Sequence, residues 1–188
     1  DGLAGVSASQ VEIQSGIQFY DGMSTADIQG ILVKSASDLI DLDAPNYQYV
    51  AARLLLFGLR KNLYGRIHEL PTLDDQIKRG VDKGIYDADI LKKYNADEIS
   101  VLNNIIDHNR DYLFTYAGIR QVTDKYLVQD RSTGEVYETP QFMYMLIAMT
   151  IFAEYPDETR LDYVTRYYNA ISKHKINIPT PIMGGVRT

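Results

Sequence analysis

The chain has 188 residues, of which 45% are apolar, no cysteine and a formal net charge of −6. This length fits one domain or slightly more, and the apolar content is too high for a disordered chain. Without cysteine, the chain by itself has no disulfide, no cysteine-ligated metal site and no thiol chemistry. The acidic charge and the scattered basic residues argue against nucleic-acid binding, which needs a concentrated basic surface.

The hydropathy pattern argues against a membrane protein. The longest apolar run, residues 142–153, is well short of the ~20 residues that a bilayer span needs. The first residues also lack the basic stretch followed by an apolar one that a secretory signal requires. We therefore expect no membrane contact and a cytoplasmic location.

Three helices are predicted in the first 65 residues. Ser7-Ala-Ser-Gln10 has the spacing of a capping box, in which two side chains satisfy amides at a helix start. Ser24 or Thr25 can cap a second helix, whose apolar residues recur at spacings of three and four. The third helix lies between Pro45, which a first turn tolerates, and Gly65, which suits a left-handed C-terminal position.

The middle of the chain, residues 69–125, has a helical pattern that is interrupted repeatedly. Glycine and asparagine favour helix ends, so we expect short helices that are broken at Gly80, Gly84 and Asn95. This part is predicted to be helical but irregular.

The last third begins with the only β pattern. Two β-forming stretches around a glycine-containing loop predict one small hairpin at about 125–139. Pro140 then opens an apolar helix that should be fully buried and should end near Tyr155. Asp157 is placed to cap a final helix, which ends in the basic residues 173–175.

Side chains that carry chemistry are sparse. His68, His108 and His174 are too far apart in sequence to form a local metal-binding pair. The polar cluster 107–111 permits acid–base chemistry, but a helix junction held by salt bridges explains it equally well. The fifteen tyrosines permit base stacking or radical transfer, although buried tyrosines with hydrogen-bonded hydroxyls are the simpler interpretation.

Six segments of the chain are long and distinctive: 17–22, 43–53, 60–65, 125–142, 160–172 and 178–188. In order and spacing they resemble the large subunit of class I ribonucleotide reductase, especially the aerobic bacterial and T-even-phage type. The resemblance extends over essentially the whole chain.

The resemblance implies three parts. Residues 1–63 resemble the C-terminal part of an ATP-binding cone, 64–178 an all-alpha domain, and 179–188 the start of a loop that leads into the catalytic α/β barrel. The implied fold is mainly α: a multi-helix domain with one small β-hairpin, preceded by the helical part of the cone. The family's catalytic cysteines lie in the barrel, so we interpret the absence of cysteine as truncation.

The function implied for the parent protein is the reduction of ribonucleoside diphosphates to deoxyribonucleotides by a thiyl radical. The implied partners are a second large subunit, a small (beta) subunit that carries the metal-radical cofactor, and thioredoxin or glutaredoxin. ATP and dATP are the implied allosteric effectors, and this chain itself is expected to bind no cofactor or metal. The chain alone should be inactive. The alternative is a free-standing helical module that regulates or assembles a partner without catalysis of its own.

Two candidate sites follow from the resemblance. Thr25 and Lys61 match the threonine and lysine of the family's ATP site, and Thr180 matches the threonine that hydrogen-bonds the substrate diphosphate. Gln29 and Gly58 stand where the best-known bacterial members have histidines that tune the response to dATP. The cone's basic opening hairpin is also missing, so ATP binding is expected to be weak or absent.

Without the resemblance, each of these residues has an ordinary structural interpretation. Thr25 would cap a helix, and Lys61 would be a solvated surface lysine. Pro179 and Pro181 would make the segment around Thr180 a rigid linker, although the same stiffness preorganises the hydroxyl for an anion.

Overall fold

The computed structural model describes residues 2–188, which form ten α-helices and one 3-10 helix and contain no β-sheet. In chain order the helices are α1 Ala8–Gly16, α2 Thr25–Asp38, α3 Tyr47–Tyr64, α4 Leu73–Asp82, α5 Ile90–Lys93, α6 Ala96–Ile105, the 3-10 helix His108–Leu113, α7 Tyr116–Lys125, α8 Pro140–Ile151, α9 Asp157–Ser172 and α10 Thr180–Gly185. The mainly α prediction is confirmed. None of the helices within residues 2–188 is both long and apolar enough to cross a bilayer.

The helices divide into two compact units. The first contains the residues up to Ile67 together with Tyr112–Gln121, and the second contains His68–Asp111 and Val122–Thr188. The boundaries predicted from the resemblance, at residues 63 and 178, stay a prediction.

The core of the first unit is small and is built where α1, α2 and α3 meet. Val11, Ala36, Tyr47 and Ala51 form its buried cluster. The Tyr47 hydroxyl accepts a hydrogen bond from the Ser7 amide at 3.0 Å and donates one to the Gln10 side chain. The predicted capping box of Ser7 and Gln10 is therefore wrong. The Gln10 side chain is hydrogen-bonded to Tyr47 on α3, and the Ser7 side chain makes no cap hydrogen bond.

The ends of α2 and α3 largely follow the sequence signals. Ser24, and not Thr25, caps α2 by accepting a hydrogen bond from the Asp27 amide at 3.1 Å. Gly65 ends α3 with a φ of 69°, which is the left-handed conformation that glycine adopts without steric cost. Pro45 precedes the first residue of α3, so it lies just outside the helix that it was predicted to open.

The second unit is organised around α8. Every residue from Pro140 to Met149 is buried, as predicted for an apolar helix without a polar face. The buried residues Val164, Tyr168 and Ile171 form an apolar stripe along α9. Two boundaries differ from the prediction: α8 ends at Ile151 rather than near Tyr155, and Pro156 rather than Asp157 is the N-cap of α9.

Two features of the second unit depart further from the sequence prediction. Helix α4 continues through Gly80 to Asp82, so the predicted break at Gly80 is wrong. The ring of Tyr86 packs where a side chain at position 80 would be, and a Cβ there would lie 2.0 Å from Tyr86 Cδ2. The predicted hairpin is reduced to one antiparallel bridge between Gln129 and Val136, with Gly134 at a φ of 75°. The loop thus reverses the chain without forming a ladder.

Glu98 joins α6 to α9. Its Oε1 lies 2.5 Å from Arg160 Nη2, and the two side chains are 12% and 7% exposed. Burial alone raises the pKa of Glu98, but the hydrogen bonds from Arg160 and Asn95 and the Arg160 charge outweigh it and lower the pKa below its ordinary value of 4.5. The pair therefore makes the stability of this unit depend on pH.

We expect the contribution of Glu98 to stability to be fully present above about pH 4.5 and to disappear as the pH falls through the lower pKa of the folded state. The measurement is denaturant unfolding of the wild type and Glu98→Gln between pH 7 and pH 2.5. The wild type should be more stable at pH 7, and the difference should shrink at low pH, where Glu98 is protonated. A difference that does not change with pH would contradict this assignment.

Candidate functional site

Thr180 is the first residue of α10 and is exposed to solvent. The sequence predicted a rigid linker here, whereas residues 180–185 form a short helix that packs against α8. Proline is tolerated in the first turn of a helix, so Pro181 does not prevent it. Thr180 Oγ1 lies 3.2 Å from the hydroxyl oxygen of Tyr126, the residue that follows α7.

A buried ion pair holds the end of this segment. Arg187 and Glu138 have side chains that are 1% and 0% exposed, and the guanidinium donates to both carboxylate oxygens. Arg187 Nη2 also donates to the carbonyl oxygen of Tyr126 at 2.8 Å. Glu138 accepts two further hydrogen bonds, from the Val128 amide at 2.9 Å and the Tyr86 hydroxyl at 2.8 Å. Several hydrogen bonds thus compensate the desolvation of the two buried charges.

Tyr86 completes this buried network. Burial and then the negative charge of Glu138 raise the pKa of Tyr86 well above its usual value, so the hydroxyl keeps its proton and remains a donor to the carboxylate. Gln76 Nε2 in turn donates to the Tyr86 hydroxyl at 2.9 Å. Residues 180–188 are therefore anchored to the interior of the second unit.

A cavity of about 430 Å³ lies beside α10 and the chain reversal. Its lining includes Lys125, Arg131, Tyr126, Tyr137 and Gly184. The two basic side chains suit an anionic ligand, although Asp130 in the same lining offsets part of their charge. Tyr126 belongs to this lining and also contacts Thr180, so the cavity and the threonine are neighbours.

The second candidate site is on the antiparallel pair of α2 and α3. Gln29 Nε2 on α2 donates to the carbonyl oxygen of Leu54 at 2.6 Å, and a Cβ on Gly58 would lie 3.0 Å from Gln29 Cγ. Ala36, which lies after Gln29 on α2, packs in the same buried cluster as Ala51, which lies before Gly58 on α3. The contacts move backwards along α3 as they move forwards along α2, which shows that the helices run antiparallel.

This geometry places Thr25 and Lys61 at the same end of the helix pair. Thr25 lies one turn before Gln29 on α2, and Lys61 lies one turn after Gly58 on α3. Both are exposed. The two residues that the resemblance assigned to one site thus lie at the same end of the helix pair.

The other polar clusters are structural. In the cluster 107–111, Asp111 is fully buried and accepts a hydrogen bond from Gln141 Nε2 at 2.9 Å. Arg110 Nε lies 3.5 Å from Asp107 Oδ2, which supports the interpretation as a helix junction. Among residues 2–188, no group of three or more histidine, aspartate or glutamate side chains is placed to hold a metal ion.

The tyrosines are mostly structural where they are buried. Tyr94 donates to the carbonyl oxygen of Met149 at 2.7 Å, and Tyr168 donates to Gln141 Oε1 at 2.8 Å. These contacts match the expected pattern of core tyrosines with bonded hydroxyls. Tyr126 differs, because its hydroxyl reaches the exposed Thr180.

Comparison with known proteins shows which proteins this helical chain is similar to. Residues 112–188 match the family described as the ribonucleotide reductase all-alpha domain. The whole chain is 53% identical to subunit alpha of ribonucleoside-diphosphate reductase 1 of Escherichia coli (strain K12) and covers 25% of that protein. It is 51% identical to the ribonucleoside-diphosphate reductase alpha subunit of Haemophilus influenzae, and it again covers 25% of that protein.

A viral relative is similar to this chain over almost its whole length. The alpha subunit of ribonucleoside-diphosphate reductase of Enterobacteria phage T4 is 47% identical over 98% of this chain and 24% of the phage protein. Over its whole length the chain is similar to alpha subunits of ribonucleoside-diphosphate reductase, as the resemblance predicted, and it spans about a quarter of the length of these relatives.

Proposed function

We propose that this chain is part of the alpha subunit of a class I ribonucleoside-diphosphate reductase. The complete subunit reduces ribonucleoside diphosphates to 2′-deoxyribonucleoside diphosphates, which supplies precursors for DNA synthesis. The observation that carries the proposal is identity of 53% along all 188 residues to an alpha subunit of that enzyme. This similarity extends over the whole chain.

The proposed division of labour assigns this chain a scaffold role and residues in two nucleotide-binding sites. The radical chemistry needs a cysteine, and none of the 188 residues is one. We therefore assign the thiyl radical to the rest of the alpha subunit, and the metal-radical cofactor to a small beta subunit. Thioredoxin or glutaredoxin restores the thiols, a second alpha subunit completes the dimer, and the reducing cytoplasm suits this thiol chemistry.

Thr180 is the proposed substrate contact of this chain. Its hydroxyl is exposed, and its segment is anchored by the buried pair of Arg187 and Glu138. A hydroxyl on an anchored segment can donate to a diphosphate oxygen with little loss of conformational freedom on binding.

Thr25 and Lys61 are the proposed contacts for ATP or dATP as allosteric effector. Their placement at one end of the antiparallel pair supports the assignment, and the hydroxyl of Thr25 is not the one that caps α2. Asp27 lies in the same first turn, and its charge opposes an anion there. The lysine is therefore the contact that should matter most.

Lys61→Ala in the complete alpha subunit should weaken ATP binding roughly tenfold to a hundredfold, because a hydrogen bond to a charged group is lost. Isothermal titration calorimetry with ATP gives the dissociation constant. Lys34→Ala is the matched control: Lys34 is an exposed lysine on α2 that pairs with Asp38, near the opposite end of the helix. An unchanged constant for Lys61→Ala would remove Lys61 from the site.

The proposed function is tested by assaying the complete subunit. With its small subunit, thioredoxin and cytidine diphosphate, we expect deoxycytidine diphosphate as the product. The 188-residue chain in place of the complete subunit should give no turnover, because it contains no cysteine. Failure of the complete subunit with an active small subunit would contradict the proposal, and turnover by the short chain would contradict the division of labour.

A further inference from the structure

Tyr126 contacts both ends of the segment that carries Thr180. Its carbonyl oxygen accepts a hydrogen bond from Arg187 Nη2 at 2.8 Å, and its hydroxyl oxygen lies 3.2 Å from Thr180 Oγ1. We propose that Tyr126 is a positioning residue that orients the Thr180 hydroxyl toward the substrate. This inference rests on the proposed function, in which Thr180 donates to the diphosphate of a ribonucleotide.

The direction of the hydrogen bonds follows from the chemistry of the ligand. Ionised diphosphate oxygens only accept hydrogen bonds, so Thr180 has to direct its single hydroxyl proton at them. Its lone pairs then face the protein, where the Tyr126 hydroxyl can donate. The resulting chain of hydrogen bonds runs from Tyr126 through Thr180 to the phosphate, and each bond polarises the next.

Tyr126 is itself held firmly enough for this role. The arginine that binds its carbonyl oxygen is buried, and that arginine is paired with the fully buried Glu138. Thr180, in contrast, is exposed, and an exposed threonine side chain can occupy more than one staggered rotamer. The hydroxyl contact between the two residues selects one of them.

The main-chain and side-chain contacts of Tyr126 can be separated experimentally. Tyr126→Phe removes the hydroxyl and keeps the carbonyl contact with Arg187, so the fold should be retained and circular dichroism should show an unchanged melting curve. In the complete alpha subunit we expect KM for cytidine diphosphate to rise about threefold to tenfold with little change in kcat.

Tyr137→Phe is the matched control. Tyr137 lines the same cavity, but its hydroxyl donates to Glu135 Oε2 at 3.2 Å, whereas Thr180 contacts the hydroxyl of Tyr126. Its removal should leave KM unchanged. An equal rise in KM for both variants would point to a general effect of the cavity and would overturn the role of Tyr126.

A double mutant distinguishes positioning from direct binding. Thr180→Val should raise KM, and adding Tyr126→Phe to that variant should have no further effect, because Tyr126 acts through the missing hydroxyl. If Thr180→Val leaves KM unchanged, the substrate contact of the proposed function is wrong. If Thr180→Val raises KM while Tyr126→Phe does not, or if the two effects multiply, only the positioning role is wrong.

Discussion

Glu138→Ala is expected to destabilise the second unit by about 3–5 kcal/mol, which is the usual cost of leaving one member of a buried ion pair without its partner. The substitution leaves the Arg187 guanidinium buried beside a cavity, and it also removes the acceptor of the Tyr86 hydroxyl and the Val128 amide. Urea unfolding of the 188-residue chain, followed by circular dichroism, measures the change.

Glu135→Ala is the control for this experiment. Glu135 lies three residues earlier and pairs with Lys83 at 3.6 Å, but the two side chains are 58% and 51% exposed. Exposed pairs contribute ~1 kcal/mol or less, so this variant should unfold almost as the wild type does. Similar unfolding midpoints for the two variants would contradict the role of the buried network.

Gly80→Ala is the second substitution with a large expected effect, and its direction is the opposite of the usual one. Alanine normally stabilises a helix relative to glycine by about 1 kcal/mol. Here the new Cβ would lie 2.0 Å from Tyr86 Cδ2 and 2.4 Å from Cε2. Tyr86 is buried and hydrogen-bonded to Glu138, so its ring has little freedom to move. We expect the free energy of unfolding to fall by ~3 kcal/mol or more.

The matched control is Gly30→Ala, in the interior of α2. A Cβ at Gly30 would have no neighbour within 4 Å, so this variant should be slightly more stable than the wild type. Thermal unfolding of the two variants compares them directly. The interpretation of the Tyr86 contact would fail if both substitutions stabilised the protein.

Much of the helical fold could be predicted because its signals are local. The apolar run of α8, the stripe of α9 and the glycine that ends α3 each lie within one stretch of sequence. The capping box at Ser7 failed for a different reason: the competing partner of Gln10 is Tyr47, on another helix. The prediction of a helix end at Gly80 failed for a similar reason. Glycine is needed there to make room for the ring of Tyr86, a residue that lies beyond the end of α4.

The candidate sites show the same limit. Thr25, Lys61 and Thr180 could be singled out only through the resemblance to a family, since composition and spacing gave each an ordinary interpretation. Glu138 and Arg187 carried no signal at all, because they are 49 positions apart and pair only in the folded chain. The short helix α10 was missed because prolines and glycines have low helix propensity, whereas packing against α8 favours it.

The close contact between Gln29 and Gly58 has an evolutionary consequence. The space that glycine leaves on α3 is the space that the Gln29 side chain fills, with only 3.0 Å between Gln29 Cγ and a Cβ at position 58. A larger residue at position 58 therefore requires a different residue or rotamer at position 29. We expect the two positions to covary among relatives, so that a larger residue at position 58 is accompanied by a different residue at position 29.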